Sequence, residues 1–173
     1  MSNPVAVIAE TSLGFAGVAL SDVGICRATL FHPTRAACRA ELLSRGAVER
    51  NDPRAAGVAS LLQRYANGEA GLLGHYPIDL PLGTPLQRTT WMALRDVPVG
   101  ETRSYGWLAN HVGVPGKARV IGSFNGANPI PLWLPCHRII AANGNLRGYA
   151  GGLEMKRTLL ELEGALPRAM ALA

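Results

Sequence analysis

Short apolar runs separated by turn signals open the chain. Val5-Ala6-Val7-Ile8-Ala9 is followed, after Thr11-Ser12-Leu13-Gly14, by Phe15 to Leu20, and after Ser21-Asp22-Val23-Gly24 by Ile25 to Phe31. Runs of this length broken by Gly, Ser and Asp predict the strands of an antiparallel meander. Helical signals come next. Residues 36–43 are rich in helix formers, and Asp52-Pro53 supplies a cap and a first-turn proline for a helix running to about Ala66, with Gly68 ending it. Residues 77–81 read as extended. Residues 1–83 thus form a small α/β unit.

Helical patterning dominates from Thr84 onward. Thr84-Pro85 places a capping hydroxyl and a proline at a helix start, with Leu86, Trp91, Leu94 and Val97 on the apolar side and Pro98-Val99-Gly100 as the stop. Ser104 caps a helix over 105–111, with Leu108 and Val112 turned inward. Gly113-Val114-Pro115-Gly116 makes a turn into a second helix over 117–124, whose buried side is Val120, Ile121 and Phe124. Such a pair either reads DNA or packs as a plain helical hairpin, and the pattern admits both. Gly122, Ser123, Gly126 and Ala127 give the second helix a small surface. Glycine costs ~1 kcal/mol against alanine in a helix. Close approach of another body, or tight packing on a neighbouring helix, accounts for it. Lys117 and Arg119 at the helix start can reach phosphates or a base step. A strand over Leu132-Trp133-Leu134, a second short run at Ile139-Ile140, a Gly-rich loop over 143–152 and a helix over 154–162 complete the chain. It shows no repeats and no low-complexity segment.

Charge sharpens the contrast between the halves. Residues 1–83 carry seven Arg against seven acids, whereas 84–152 carry seven basic residues against Asp96 and Glu101 alone. The net charge of +5 therefore sits in one segment. Such a patch suits a phosphate backbone or is simply a solvated basic surface. With 48% hydrophobic and 17% charged residues the composition is that of a globular protein, and no apolar run approaches the ~18 residues of a membrane span. Met1 to Pro4 lack a secretory pattern, so a cytoplasmic location is expected.

The three cysteines, Cys26, Cys38 and Cys136, are widely spread and do not read as a disulfide framework. Pro135-Cys136-His137-Arg138 sits between apolar residues. A thiol becomes a useful nucleophile as thiolate, which a neighbouring imidazole or cation favours. A buried structural cysteine is the other reading. Cys26, His32, Cys38 and His75 could be offered as zinc ligands, but their spacing matches no compact metal motif, and no metal is expected.

The string Asn128 to Ile140, Asn-Pro-Ile-Pro-Leu-Trp-Leu-Pro-Cys-His-Arg-Ile-Ile, resembles the active-site signature of the O6-alkylguanine-DNA alkyltransferases. Gly83 to Arg88 with Trp91, Gly100 to Tyr105, Ala118 to Gly122, Gly148 to Leu153 and Leu159 to Gly164 are similar to that family's other motifs, in order across residues 83–164. The resemblance implies an α/β fold. Residues 1–83 would form an N-terminal ribonuclease-H-like α/β domain, and 84–173 a mostly helical winged helix-turn-helix domain for DNA binding and catalysis. It implies direct-reversal repair, in which the alkyl group of O6-alkylguanine, and of O4-alkylthymine, in DNA moves irreversibly to Cys136, once per molecule.

In that reading His137 is the base, acting through a water, and Glu163 orients it. Asn128 is the hinge between recognition helix and active-site strand. Tyr105 crowds the 3′ phosphate, helps rotate the nucleotide outward and donates a proton to the departing guanine. Arg119 fills the stack, with Lys117, Gly122, Ser123 and Gly126 also at the DNA. Tyr149, Ala150, Gly151 and Pro131 line the pocket, and backbone groups near Cys136 and Ala150 read the base. The partner is double-stranded DNA entered mainly through the minor groove, since a stacked base must be flipped to react. The protein would act as a monomer without cofactor, membrane or obligate protein partner.

Three positions depart from the family pattern. Leu86 stands where Phe is frequent, Ala150 where some relatives have Ser, and Trp133 where an aliphatic residue is usual. Pro131 matches relatives that accept benzyl adducts and implies a roomy pocket. A non-catalytic protein that recognises alkylated DNA is the alternative; such relatives lack the acceptor cysteine. A cysteine hydrolase would leave the helix pair and basic segment without a purpose, and a transcription factor would show strong sequence preference.

Overall fold

The computed structural model describes residues 2–80 and 82–168. The chain divides into two compact units, Met1–Pro81 with Pro129–Trp133, and Leu82–Asn128 with Leu134–Ala173.

The first unit is built on an antiparallel sheet in the order β1 (Val5–Thr11), β2 (Gly14–Leu20), β3 (Ile25–Ala28). The β1–β2 hairpin runs in unbroken register from Val5↔Leu20 to Thr11↔Gly14. Gly14 has φ +114, and a side chain there would sit 2.5 Å from the His32 carbonyl oxygen. The third run is a strand of four residues with a register shift at its start, between Ala19 and Leu20, and Phe15 and His32 form an isolated bridge beyond its end. Alternation splits the sheet into two apolar faces. Ala6, Ile8, Phe15 and Ala19 meet Cys26, Cys38, Leu42 and Ala47 on the side of α1 (Arg35–Ser44). Gly17 allows that approach, since a Cβ there would lie 2.8 Å from Leu42 and 3.2 Å from the Cys38 sulfur. Val5, Val7, Ala9 and Val18 are buried on the other face, and α2 (Ala55–Ala66) packs against β1 through its buried Val58, Leu62 and Tyr65.

The start of α2 differs from expectation. Asp52 does not cap a helix beginning at Pro53. Its carboxylate is taken by the backbone N–H and guanidinium of Arg54, and the helix begins at Ala55. In the extended 77–81 segment, Ile78 bridges to Ile25; Pro81 lies outside the described residues. Residues 132–134 are a turn rather than the expected strand. Pro129, Pro131 and Pro135 remove backbone donors, and Leu132 has φ +71, so no ladder can form. Trp133 is buried and stacks on Tyr76 with ring centroids 6.2 Å apart.

The second unit is mostly helical. α3 (Pro85–Ala93) begins with a reciprocal cap. Thr84 Oγ accepts from Gln87 N at 3.2 Å, and Gln87 Oε1 accepts from Thr84 N at 2.8 Å. The helix ends at Ala93, and Leu94–Asp96 form a 3-10 turn that still buries Leu94. Two-residue strands β4 (Arg103–Ser104) and β5 (Ile139–Ile140) pair in parallel. Ser104 then caps α4 (Tyr105–His111), and α5 (Ala118–Gly126) follows. α6 (Gly152–Leu162) closes the unit. Val120 does not join the core of α5; it is 43% exposed while Ile121 is fully buried. The buried stripe is Ile121 and Asn125, four residues apart on one face. No helix among the described residues is long and apolar enough to cross a membrane.

Candidate active site

Cys136 opens a 3-10 turn, Cys136–Arg138, wedged between Pro135 and β5. Proline has no N–H to extend a strand, so Cys136 N bonds to Leu134 O at 2.8 Å and Arg138 N to Pro135 O at 3.0 Å. The turn points three consecutive polar side chains into the core, and Cys136 is only 4% exposed. His137 Nε2 lies 2.8 Å from Glu163 Oε1. Arg138 Nε donates to Glu163 Oε2 at 2.8 Å, its Nη2 to Oε1 at 3.1 Å, and its Nη1 to the Val97 carbonyl at 2.7 Å.

Buried ions cost several kcal/mol each unless paired and hydrogen-bonded. Glu163 meets that condition. Burial alone would raise its pKa, but the pull of His137, its hydrogen bond and the Arg138 guanidinium bring it down to about 2. A carboxylate only accepts, so His137 Nε2 is the donor of that bond. Nδ1 is buried with no protein partner.

The thiol itself is not activated at rest. Burial pushes the Cys136 thiol up, and only partial relief comes from the Asn128 side chain, the Lys156 charge and the local backbone N–H groups. Arg138, two positions after the thiol in sequence, is committed to Glu163. A protonated thiol needs a base at the moment of reaction.

Lys156 was not foreseen as a site residue. It is fully buried on α6, with Nζ donating to the Ile139 carbonyl at 2.6 Å and the Arg147 carbonyl at 3.1 Å. The same ammonium stands 5.9 Å from the ring centroids of both Tyr105 and Tyr149. Burial lowers its pKa to about 8, against the pull of Cys136. A signal was available: Lys156 shares the i, i+3, i+4, i+7 stripe of α6 with Leu159, Leu160 and Glu163, so a lysine faces the core. Asn125 was missed for the same reason, as a polar residue on the buried stripe of α5; its Nδ2 donates to the Cys136 carbonyl at 3.2 Å.

The remaining expected residues fall into groups. Asn128, one residue past the α5 cap, ties the turn down by donating to Leu134 O at 2.7 Å. The Tyr105 hydroxyl donates to the Arg147 carbonyl at 3.1 Å, and its ring lies over Gly122, where an added Cβ would be 3.6 Å away. Tyr149 is half-buried, whereas Ala150 and Gly151 are exposed on the loop before α6. Lys117, Arg119, Ser123 and Gly126 are exposed along α5 and do not meet the thiol. Ser123 Oγ is turned back onto the Val120 carbonyl at 2.7 Å. Pro131 is half-buried in the segment that clusters with the N-terminal unit. The residues weighed as zinc ligands do not converge. Cys26 bonds the Ala19 carbonyl, Cys38 lies against Thr29, and His32 pairs with Glu41. Among the described residues no three metal-ligating side chains come together.

Comparison with known proteins follows the same outline. A family model described as 6-O-methylguanine DNA methyltransferase, DNA binding domain, matches residues 85–165. The methylated-DNA–protein-cysteine methyltransferase of Mycolicibacterium paratuberculosis is 51% identical over 114 residues, 65% of this chain and 67% of that protein. The protein of the same name from Shigella flexneri is 44% identical over 110 residues, 64% of each chain. Over nearly the full length, the crystal structure of Mycobacterium tuberculosis O6-methylguanine methyltransferase superposes with a TM-score of 0.74 at 36% identity, covering 95% of this chain and 96% of that one. A crystal structure of the same mycobacterial protein in complex with DNA gives a TM-score of 0.74 over 92% of both chains. The chain therefore has the mixed α/β fold of these proteins and belongs to the methylated-DNA–protein-cysteine methyltransferase family.

Proposed function

We propose that this protein repairs O6-alkylguanine, and O4-alkylthymine, in double-stranded DNA by moving the alkyl group to Cys136, once per molecule. The observation that carries the reading is a buried thiol beside a His137–Glu163 pair, in the unit that also presents the α4–α5 helix pair. Residues 1–83 act as a ribonuclease-H-like support. Residues 84–173 act as the winged helix-turn-helix domain that enters the minor groove. The protein works as a monomer in the cytoplasm.

The chemistry follows from the groups. His137 Nδ1 takes the thiol proton, through a water, and Glu163 steadies the imidazolium that forms. The thiolate attacks the alkyl carbon in line. The S–C bond forms, the C–O6 bond breaks, and the bonding pair leaves with guanine, which receives a proton from Tyr105. The product is a thioether, and no group in the site can reverse it. A base inside the duplex is out of reach of a buried sulfur, so it must be extruded, at a cost of a few kcal/mol. Arg119 fills the gap in the stack and Lys117 holds phosphate, while Gly122, Ser123 and Gly126 let the backbone approach. Tyr149, Ala150 and Gly151 line the base pocket, and Asn128 holds the turn carrying Cys136.

Intact mass after mixing with excess duplex containing one O6-methylguanine tests this. One methyl group per protein, mapped to Cys136 and absent from Cys136→Ser, is expected. Selective binding to that duplex without any mass change would replace the proposal with a recognition-only function.

A further inference from the structure

The loop after β5 and the solvent face of α6 frame a groove whose side chains have no part in alkyl transfer. Its volume is about 650 Å³, and Leu146, Arg147, Leu153, Glu154, Arg157 and Leu166 line it. All six belong to the C-terminal unit. The backbone around the groove is anchored. Lys156 Nζ and the Tyr105 hydroxyl both donate to the Arg147 carbonyl, while the Arg147 residue as a whole stays exposed. On α6, Lys156, Leu159 and Leu160 take the buried face, which leaves Leu153 and Arg157, one turn apart, on the exposed one. Ala165 N and Leu166 N bond to the Leu160 carbonyl at 2.8 and 3.3 Å and turn the chain back after α6, so that Leu166 joins the lining.

Elsewhere in the chain Arg39, Arg45, Arg54, Arg64, Arg103 and Arg138 each hold a carboxylate. Arg147 and Arg157 form no ion pair with a described residue, although Glu154 stands in the same groove. Beside these two guanidiniums Leu153 is 50% exposed and Leu146 and Leu166 are half-buried. The mixture selects among partners. A phosphate backbone would use the arginines, but it would gain nothing from the leucines and would bring its charge against Glu154. A peptide with carboxylates and apolar side chains uses every group. Guanidinium forks take carboxylates in bidentate fashion, the leucines bury apolar surface, and Glu154 accepts a backbone N–H of the peptide.

We propose that this groove docks an acidic segment of another protein that also carries apolar side chains, with Arg147 and Arg157 on its carboxylates and Leu146, Leu153 and Leu166 against its apolar groups. Charge complementarity carries the choice of partner: two guanidiniums that the chain does not neutralise face the same groove as exposed leucines. The docking is separable from alkyl transfer, since it needs neither Cys136 nor the His137–Glu163 pair. Its ionic part is exposed to solvent, so added salt weakens it, while the apolar part persists.

The test is fluorescence anisotropy with the full chain and a fluorescein-labelled peptide, Asp-Asp-Leu-Gly-Leu-Asp. Binding with a dissociation constant below about 1 mM is expected. Replacing its Asp by Asn, or its Leu by Ser, should weaken binding about tenfold in each case. Arg147→Gln and Arg157→Gln together should weaken it by at least about tenfold, and Leu166→Ser by about threefold. Melting curves establish that each variant is folded. Arg157→Glu should lose the acidic peptide and gain the peptide with Lys in place of Asp, a reversal that a packing role for the arginine would not produce. Methyl transfer by Arg157→Gln and by Leu166→Ser should change less than about twofold, whether or not the peptide is present. Absence of binding, or binding unchanged in the double arginine variant, overturns the proposal. Displacement of the peptide by oligothymidylate as effective as by unlabelled peptide would give the groove to a nucleic-acid strand. Self-association in sedimentation that Arg157→Gln abolishes would give it to a second copy of the chain. Either result overturns the peptide assignment and leaves the alkyl-transfer reading untouched.

Discussion

The two units bury their polar groups differently. Among the described residues, Thr29 is the polar side chain buried in the N-terminal unit, whereas the C-terminal unit buries Thr90, Asn125, His137, Arg138, Lys156 and Glu163. Each unit also buries free cysteines, Cys26 and Cys38 in the first and Cys136 in the second. Burial pushes all three thiols up. The neighbours make the difference. Cys38 lies against Thr29, Gly17 and Leu42, an apolar seat with one hydroxyl. Cys136 has a histidine next in sequence, a lysine whose charge acts on it and asparagines on two sides. A buried thiol is inert by default. It becomes a nucleophile only where the fold also pays to bury a base and the charges that hold that base in place.

The largest effect that would break this comparison is on alkyl transfer itself. Cys136→Ala should abolish methyl uptake, while Cys26→Ala and Cys38→Ala should each retain one methyl per protein by intact mass. Methylation persisting in Cys136→Ala would show that apolar burial does not silence the other thiols.

Next in size is the cost of dismantling the charge cluster. Glu163→Gln leaves Arg138 buried without its counter-ion and should destabilise the protein by about 3–5 kcal/mol, read from urea unfolding. A comparably small polar-to-apolar change in the first unit, Thr29→Val, should cost about 1–2 kcal/mol through the lost bond to Gly17 N. Equal costs would mean the two cores are not different in kind.

The same carboxylate sets a pH dependence. Glu163 is held at about 2 in the folded protein against 4.5 in an unfolded chain, so its contribution to stability is complete above pH 4.5. It is lost as pH falls from there toward 2. Melting temperatures across that window should decline less steeply in Glu163→Gln than in the unmodified protein, after correction for other carboxylates. Parallel curves would contradict the assignment.

The smallest effect sharpens the comparison from outside the core. Thr84→Ala removes the reciprocal cap of α3 and should cost about 1 kcal/mol by thermal unfolding, with methyl transfer unchanged. A large loss of transfer would mean that α3 governs the site and does not merely frame it.

Much of this was legible in the order of residues. The β1–β2 hairpin, the Thr84-Pro85 helix start, the Ser104 cap and the α4–α5 pair follow from local rules that act over a few residues. The cysteine site was legible through its resemblance to a family, and the pairing of His137 with Glu163, 26 positions apart, came with that resemblance rather than from spacing. Local rules failed where several prolines compete with an apolar pattern, as at 132–134, and where an aspartate had a nearer partner than the helix it was expected to cap, as at Asp52.

By itself, then, the sequence determined most of the element types, the starts of α3 and α4 and the family resemblance that singles out Cys136, because turn chemistry and motif are written in neighbouring residues. Only the tertiary structure decided that Arg138 serves Glu163 and not the thiol, that Lys156 is buried beneath two tyrosines, and that Asn125 reaches the Cys136 carbonyl. Those outcomes depend on which charge meets which partner once water is excluded. Desolvation makes that choice across the fold, between groups that no local pattern brings together.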